Sequence, residues 1–213
     1  MHITKRNITT YFIYTIAVVV LSFAAGCSQP ANRQNTAVNA APAIEPMPKL
    51  EVANHFAYSI GEKETVTPKK DSDGWFRELD FGKDDSLGEH WTFDAGGNSA
   101  CGEPVYAAAN GNVIYAEFSG PEWGIVMIID HELPSGERVQ TLYGNLLDYA
   151  VESGPVKMRQ QIARVGNANG RYLCRLHFEV RTPESSAWGQ PGPMNSPDKK
   201  GWLNPSEFIE SHR

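Results

Sequence analysis

Residues 105–130 read VYAAANGNVIYAEFSGPEWGIVMIID, and this stretch decides the fold. It holds three short runs rich in β-branched and aromatic residues: Val105–Ala107, Asn112–Phe118 and Gly124–Asp130. Turn formers separate them, Ala109-Asn110-Gly111 and then Ser119-Gly120-Pro121. Runs of this kind, bounded by Gly, Pro and Asn, read as strands joined by tight turns. Further along, Arg138–Tyr143, Gln161–Val165 and Arg175–Arg181 repeat the pattern, with Pro134-Ser135-Gly136 and Asn167-Ala168-Asn169-Gly170 between them. No window after residue 50 keeps a helical period. The expectation is an all-β domain, a compact antiparallel sheet built as a sandwich or open barrel. Thr182–Ser196 reads as a Pro/Gly/Ser-rich loop, and Asn204-Pro205-Ser206-Glu207 as the opening of one short terminal helix.

The N-terminus is of another kind. Lys5 and Arg6 precede an uncharged run whose apolar centre is Ile13–Ala25, short for a membrane span and suited to a signal peptide over residues 1–26. Ala24-Ala25-Gly26-Cys27 resembles the bacterial lipoprotein processing box, although Ala24 stands where that pattern prefers Leu. The resemblance implies a lipidated Cys27 as first mature residue, and Ser28 after it is compatible with the outer membrane. An uncleaved N-terminal anchor is the alternative; either way the body is extracytoplasmic. Residues 27–49, with Pro30, Pro42, Pro46 and Pro48 and little apolar bulk, read as a disordered tether. Residues 50–213 are then the folded domain.

Of 213 residues, 19 are basic and 25 acidic, a net charge of −6. Removing Lys5 and Arg6 with the signal leaves 17 against 25, or −8. A body this acidic argues against nucleic acid, whose binding rests on neutralised phosphates. The chemistry-bearing residues are histidines. His90 is followed by Asp94, and His177 lies in Arg175-Leu176-His177-Phe178-Glu179. Two imidazoles and a carboxylate form a set that zinc uses in open catalytic sites. A surface histidine or a structural His–Asp hydrogen bond is the plainer reading of either motif alone.

The stretch from His90 to Arg181 resembles the lysostaphin/LytM-type zinc metallopeptidases, which cut peptide cross-links of peptidoglycan. Six blocks follow the family's order: His90-x3-Asp94, Gly102–Ile114, Trp123–His131, Leu142–Leu146, Gln161–Asn167 and Leu176–Arg181. The resemblance implies a compact antiparallel β domain with a surface groove. It also implies one zinc on His90, Asp94 and His177, and peptidoglycan as substrate. The departures matter as much. Asn145 and Arg175 stand where active members carry the two histidines that handle protons, and Thr92 replaces a glycine. An amide and a guanidinium cannot accept a proton at neutral pH, though both can donate hydrogen bonds to an oxyanion. Glu179 shares a strand face with Arg175 and His177 by period-two alternation, but the family does not use this acid for proton transfer.

Three functional readings follow. One is a lipid-anchored zinc endopeptidase of the cell wall, weakened by Asn145 and Arg175. The second is a non-catalytic module of the same fold that binds wall peptides or regulates another wall hydrolase. The third is a structural envelope lipoprotein that merely retains the scaffold. Cys101 and Cys174 are expected to form a disulfide in an oxidising compartment, two buried thiols being the alternative. His131 is read as structural, His55 and His212 as bystanders, and Trp123 as packing. Trp91 is kept as a candidate for a glycan-lined groove.

Overall fold

The computed structural model describes residues 51–61 and 74–213. The chain separates into two units, Met1–Glu45 and Pro46–Arg213, and all described residues belong to the second. The expected signal, Cys27 and the whole tether lie outside them.

Ten strands and one α-helix are described, besides a single 3-10 turn at Lys83–Asp85. They are β1 (Trp75–Leu79), β2 (Glu89–Phe93), β3 (Pro104–Tyr106), β4 (Gly111–Phe118), β5 (Ile125–Glu132), β6 (Arg138–Tyr149), β7 (Gly154–Val156), β8 (Gln161–Val165), β9 (Leu176–Arg181), β10 (Trp202–Leu203) and α1 (Pro205–Ser211). The sheet order is β1-β2-β9-β6-β5-β4-β7, with β10 beside β9 and β8 joining β6 to β3. Every pairing is antiparallel. The architecture is the all-β open sheet that the runs between residues 105 and 181 predict.

Strand β5 shows why its sequence is a continuous apolar run. Met127 and Ile129 enter the main core with Val113, Tyr143 and Phe178, while Val126 and Ile128 pack on the other face with Trp123 and Leu142. Both faces are covered, so the usual apolar–polar alternation is lost. Strand β6 is longer than the expected Arg138–Tyr143 because it changes partner. It pairs with β9 as far as Gly144 and with β8 from Leu146 onward. The change occurs at Asn145, whose φ is +59°. Asparagine is one of the few residues that tolerate this left-handed conformation.

The ends of the domain are tied to the sheet by buried polar groups. Asn204 caps α1 by accepting from the Glu207 amide at 3.3 Å. The fully buried Glu89 carboxylate accepts from Ser206 Oγ at 2.8 Å, Arg77 Nη1 at 2.9 Å and Trp91 Nε1 at 3.1 Å, joining β2 to the helix. Arg159 donates to the carbonyls of Tyr58 (2.6 Å), Ile60 and Gly61, fixing the leading segment 51–61 against the core.

Candidate functional site

Strands β2 and β9 lie side by side with His90 opposite His177 and Trp91 opposite Leu176. Residues paired in an antiparallel ladder share a face, so the two imidazoles meet. His90 Nε2 is 2.8 Å from His177 Nδ1. Behind them His177 Nε2 is 2.8 Å from Glu179 Oε1, while Glu179 Oε2 accepts from Arg181 Nε at 2.6 Å and from Trp202 Nε1 at 2.8 Å. This chain assigns the tautomers. Glu179 can only accept, so His177 carries its proton on Nε2 and offers the Nδ1 lone pair, to which His90 Nε2–H donates. His90 Nδ1 is left as a buried lone pair without a hydrogen-bond partner among the described residues. Burial, then the neighbouring His177 and Arg175, push the His90 pKa down to about 2, so its ring is neutral at physiological pH.

The two substituted positions are joined through one glycine. Gly166 N donates to Asn145 O at 2.8 Å, and Arg175 N donates to Gly166 O at 3.2 Å. A Cβ at Gly166 would come within 2.6 Å of the Leu147 amide, so only glycine fits this junction. Asn145 is buried and its Nδ2 donates to Trp123 O at 3.3 Å. The Arg175 guanidinium lies 4.5 Å from the Tyr172 ring centroid, with Nη1 at 3.4 Å from Glu78 Oε2. The backbone just before it is held on three sides. Cys174 is bridged to Cys101 with a Cα–Cα distance of 5.1 Å, its amide donates to Asn98 Oδ1, and its carbonyl accepts from Thr92 Oγ1.

The remaining sequence candidates are placed as follows. Asp94 is exposed beyond the end of β2, with its amide bonded to Gly74 O at 2.9 Å. Among the described residues no group of three His, Cys, Asp or Glu side chains converges as a metal site. Two nitrogens bound to a tetrahedral zinc at their usual bond lengths stand roughly 3.3 Å apart. His90 Nε2 and His177 Nδ1 face each other at 2.8 Å, somewhat less than that separation, and Asp94 does not join them among the described residues. Trp91 is 1% exposed, packs edge-on against Tyr58 and donates to Glu89, so the expected glycan-facing role gives way to core packing. Trp123 is buried edge-to-face against His177, with rings 5.1 Å apart. His131 is buried between Asn110 O at 2.7 Å and Thr141 Oγ1 at 2.8 Å, a structural position.

A cleft of about 340 Å³ opens beside the histidines, lined by His90, Arg175, Tyr172, Glu78, Leu79 and Met194 among others. Glu78 and Tyr172 carry no sequence signal: each sits in a segment without a motif and reaches the cleft only through the fold. The cleft's far wall is the 182–196 loop. Fully buried Arg181 donates to the carbonyls of Ala187 and Gln190, Trp123 Nε1 donates to Gly192 O at 2.9 Å, and Leu87 N donates to Met194 O.

Known proteins share the central part of this sequence. The profile of peptidase family M23 matches residues 90–189. Lipoprotein NlpD of Yersinia enterocolitica is 35% identical over 80 residues, covering 38% of this chain and 78% of that sequence. The lipoprotein NlpD/LppB homolog of Pseudomonas aeruginosa is 37% identical over 81 residues, 38% of this chain but only 26% of that protein. Lysostaphin from Staphylococcus simulans is 20% identical with a TM-score of 0.48, over 65% of this chain and 50% of that one. The chain, from the His90 motif to the loop that follows Arg181, belongs to peptidase family M23.

Proposed function

We propose that this domain is a non-catalytic member of its family, held at the bacterial cell envelope by a lipid on Cys27, that binds peptidoglycan peptides through the cleft beside Arg175. The observation that carries the proposal is the direct hydrogen bond between His90 and His177, with Asp94 apart from both. Asn145 and Arg175 supply no proton acceptor to replace the missing histidines. The lipoprotein names of the Yersinia and Pseudomonas relatives support the envelope location, as do Lys5, Arg6 and the Ala24-Ala25-Gly26-Cys27 box. A wall hydrolase is the natural second partner for a domain of this kind, which would present it to its substrate.

One observation favours the second reading, a slowed zinc endopeptidase. A carboxylate behind an imidazole, as Glu179 stands behind His177, is the arrangement that orients metal-binding histidines. The two readings separate when metal content, peptidoglycan hydrolysis and co-sedimentation with purified peptidoglycan are measured on one sample. Binding without zinc or turnover is expected. Stoichiometric zinc with turnover would overturn the non-catalytic reading, and failure to sediment with the wall would overturn the binding reading. Mass spectrometry of the mature protein tests the anchor: residues 1–26 should be absent and Cys27 should carry lipid.

A further inference from the structure

The charges lining the cleft restrict what it can take. Among its described lining residues Arg175 is the one arginine or lysine, against the two carboxylates of Glu78 and Asp84. A ligand bearing only a carboxylate meets a negative surround, and one bearing only an ammonium leaves Arg175 competing for the same acids. The Arg175–Glu78 contact is long at 3.4 Å and both side chains are partly exposed, 21% and 40%. Strong charge-assisted hydrogen bonds are about 2.7–2.9 Å, so this pair is loosely made and opens at little cost. The guanidinium is steadied by the Tyr172 ring, and its backbone directly follows the bridged Cys174, which leaves a nitrogen edge for a ligand. Leu79 and Met194 add apolar walls.

We infer that the cleft takes a zwitterionic amino-acid terminus, an ammonium and a carboxylate on one carbon, with the carboxylate on Arg175 and the ammonium on Glu78 and Asp84. The two charges of such a group stand side by side as the two protein groups do, so binding exchanges one ion pair for two. Within the wall-binding reading, on which this rests, the ligand is the free side-chain end of a diamino acid in a peptide that has not been cross-linked. The domain would thus distinguish open peptide ends from joined ones.

The test is calorimetric titration of the purified full-length protein with a disaccharide tripeptide ending in meso-diaminopimelate. Two modified forms serve as controls, one amidated at the terminal carboxylate and one acetylated at the terminal amine. Each modification is expected to weaken binding about tenfold, the loss of one good charged contact. Arg175→Met should remove the penalty for amidation, and Glu78→Gln should reduce the penalty for acetylation. Thermal melts show whether each variant is folded, and if Arg175→Met is not, Glu78→Gln carries the test alone. Equal affinity for all three probes overturns the inference. So does absence of probe binding while whole peptidoglycan still sediments, an outcome that leaves the broader reading standing. Failure of both sinks the two together.

Discussion

Trp123 reaches His177 across a position where no side chain can stand. A Cβ on Gly144, the residue paired with His177 on β6, would lie 2.8 Å from the Trp123 ring. Gly144→Ala should therefore push the indole off the imidazole and cost about 1–3 kcal/mol, the usual penalty of overpacking a filled interior. Urea unfolding would show it, and an unchanged midpoint would mean the ring moves freely. A second substitution addresses chemistry. Restoring both family histidines, Asn145→His with Arg175→His, should leave hydrolysis of purified peptidoglycan at background. The new bases would flank a His90–His177 pair that still lacks Asp94. Turnover in this double variant would show that proton transfer was the one missing part. At this scale the sequence was informative where a motif named the position, as for His90, Asn145, Arg175 and His177. It was silent on Glu78 and Tyr172, which become neighbours of Arg175 only after β1 and the 166–175 loop are folded.

Elements were legible in proportion to their apolar content. Strands β4, β5, β8 and β9 follow their β-branched and aromatic runs to within a residue or two at each end. Strands β1 and β2 went unread because they carry Arg77, Glu78, Glu89 and His90, whose polar groups are satisfied by partners far away in the chain. Local composition cannot reveal a partner more than a hundred residues off, as Ser206 is from Glu89. The Cys101–Cys174 bridge acts at the same scale, linking the loop after β2 to the residues leading into β9 across a separation of 73. Reduction, or the double Cys→Ala variant, should lower unfolding stability by about 4 kcal/mol in the chain-entropy account. Oxidised and reduced samples with the same urea midpoint would contradict it.

For the whole molecule, buried histidines set how stability responds to acid. Burial holds His131 at about 4 against an ordinary 6.5, so between those values the unfolded chain binds the proton and the folded chain does not. Stability therefore falls as pH drops from 6.5 to 4, by roughly 3 kcal/mol from this group. His90 acts with the same sign, whereas Glu89, raised by burial, acts with the opposite one. Melting midpoints across this range should decline less steeply in His131→Gln than in the wild type, and parallel curves would remove His131 from the account. The fold also sorts its own constraints. Arg181 and Trp123 grip the 182–196 loop by the main-chain carbonyls of Ala187, Gln190, Pro191 and Gly192. Of the residues that face the cleft from this loop, Met194 also packs on Trp123, Val126, Ile128 and Leu142, and nearby Gly192 admits no Cβ against Ala187, so Asn195 is the freer position. Asn195 is in effect an exchangeable tile on a fixed frame, where new cleft chemistry can be written in one side chain while the loop's backbone mooring stays unchanged.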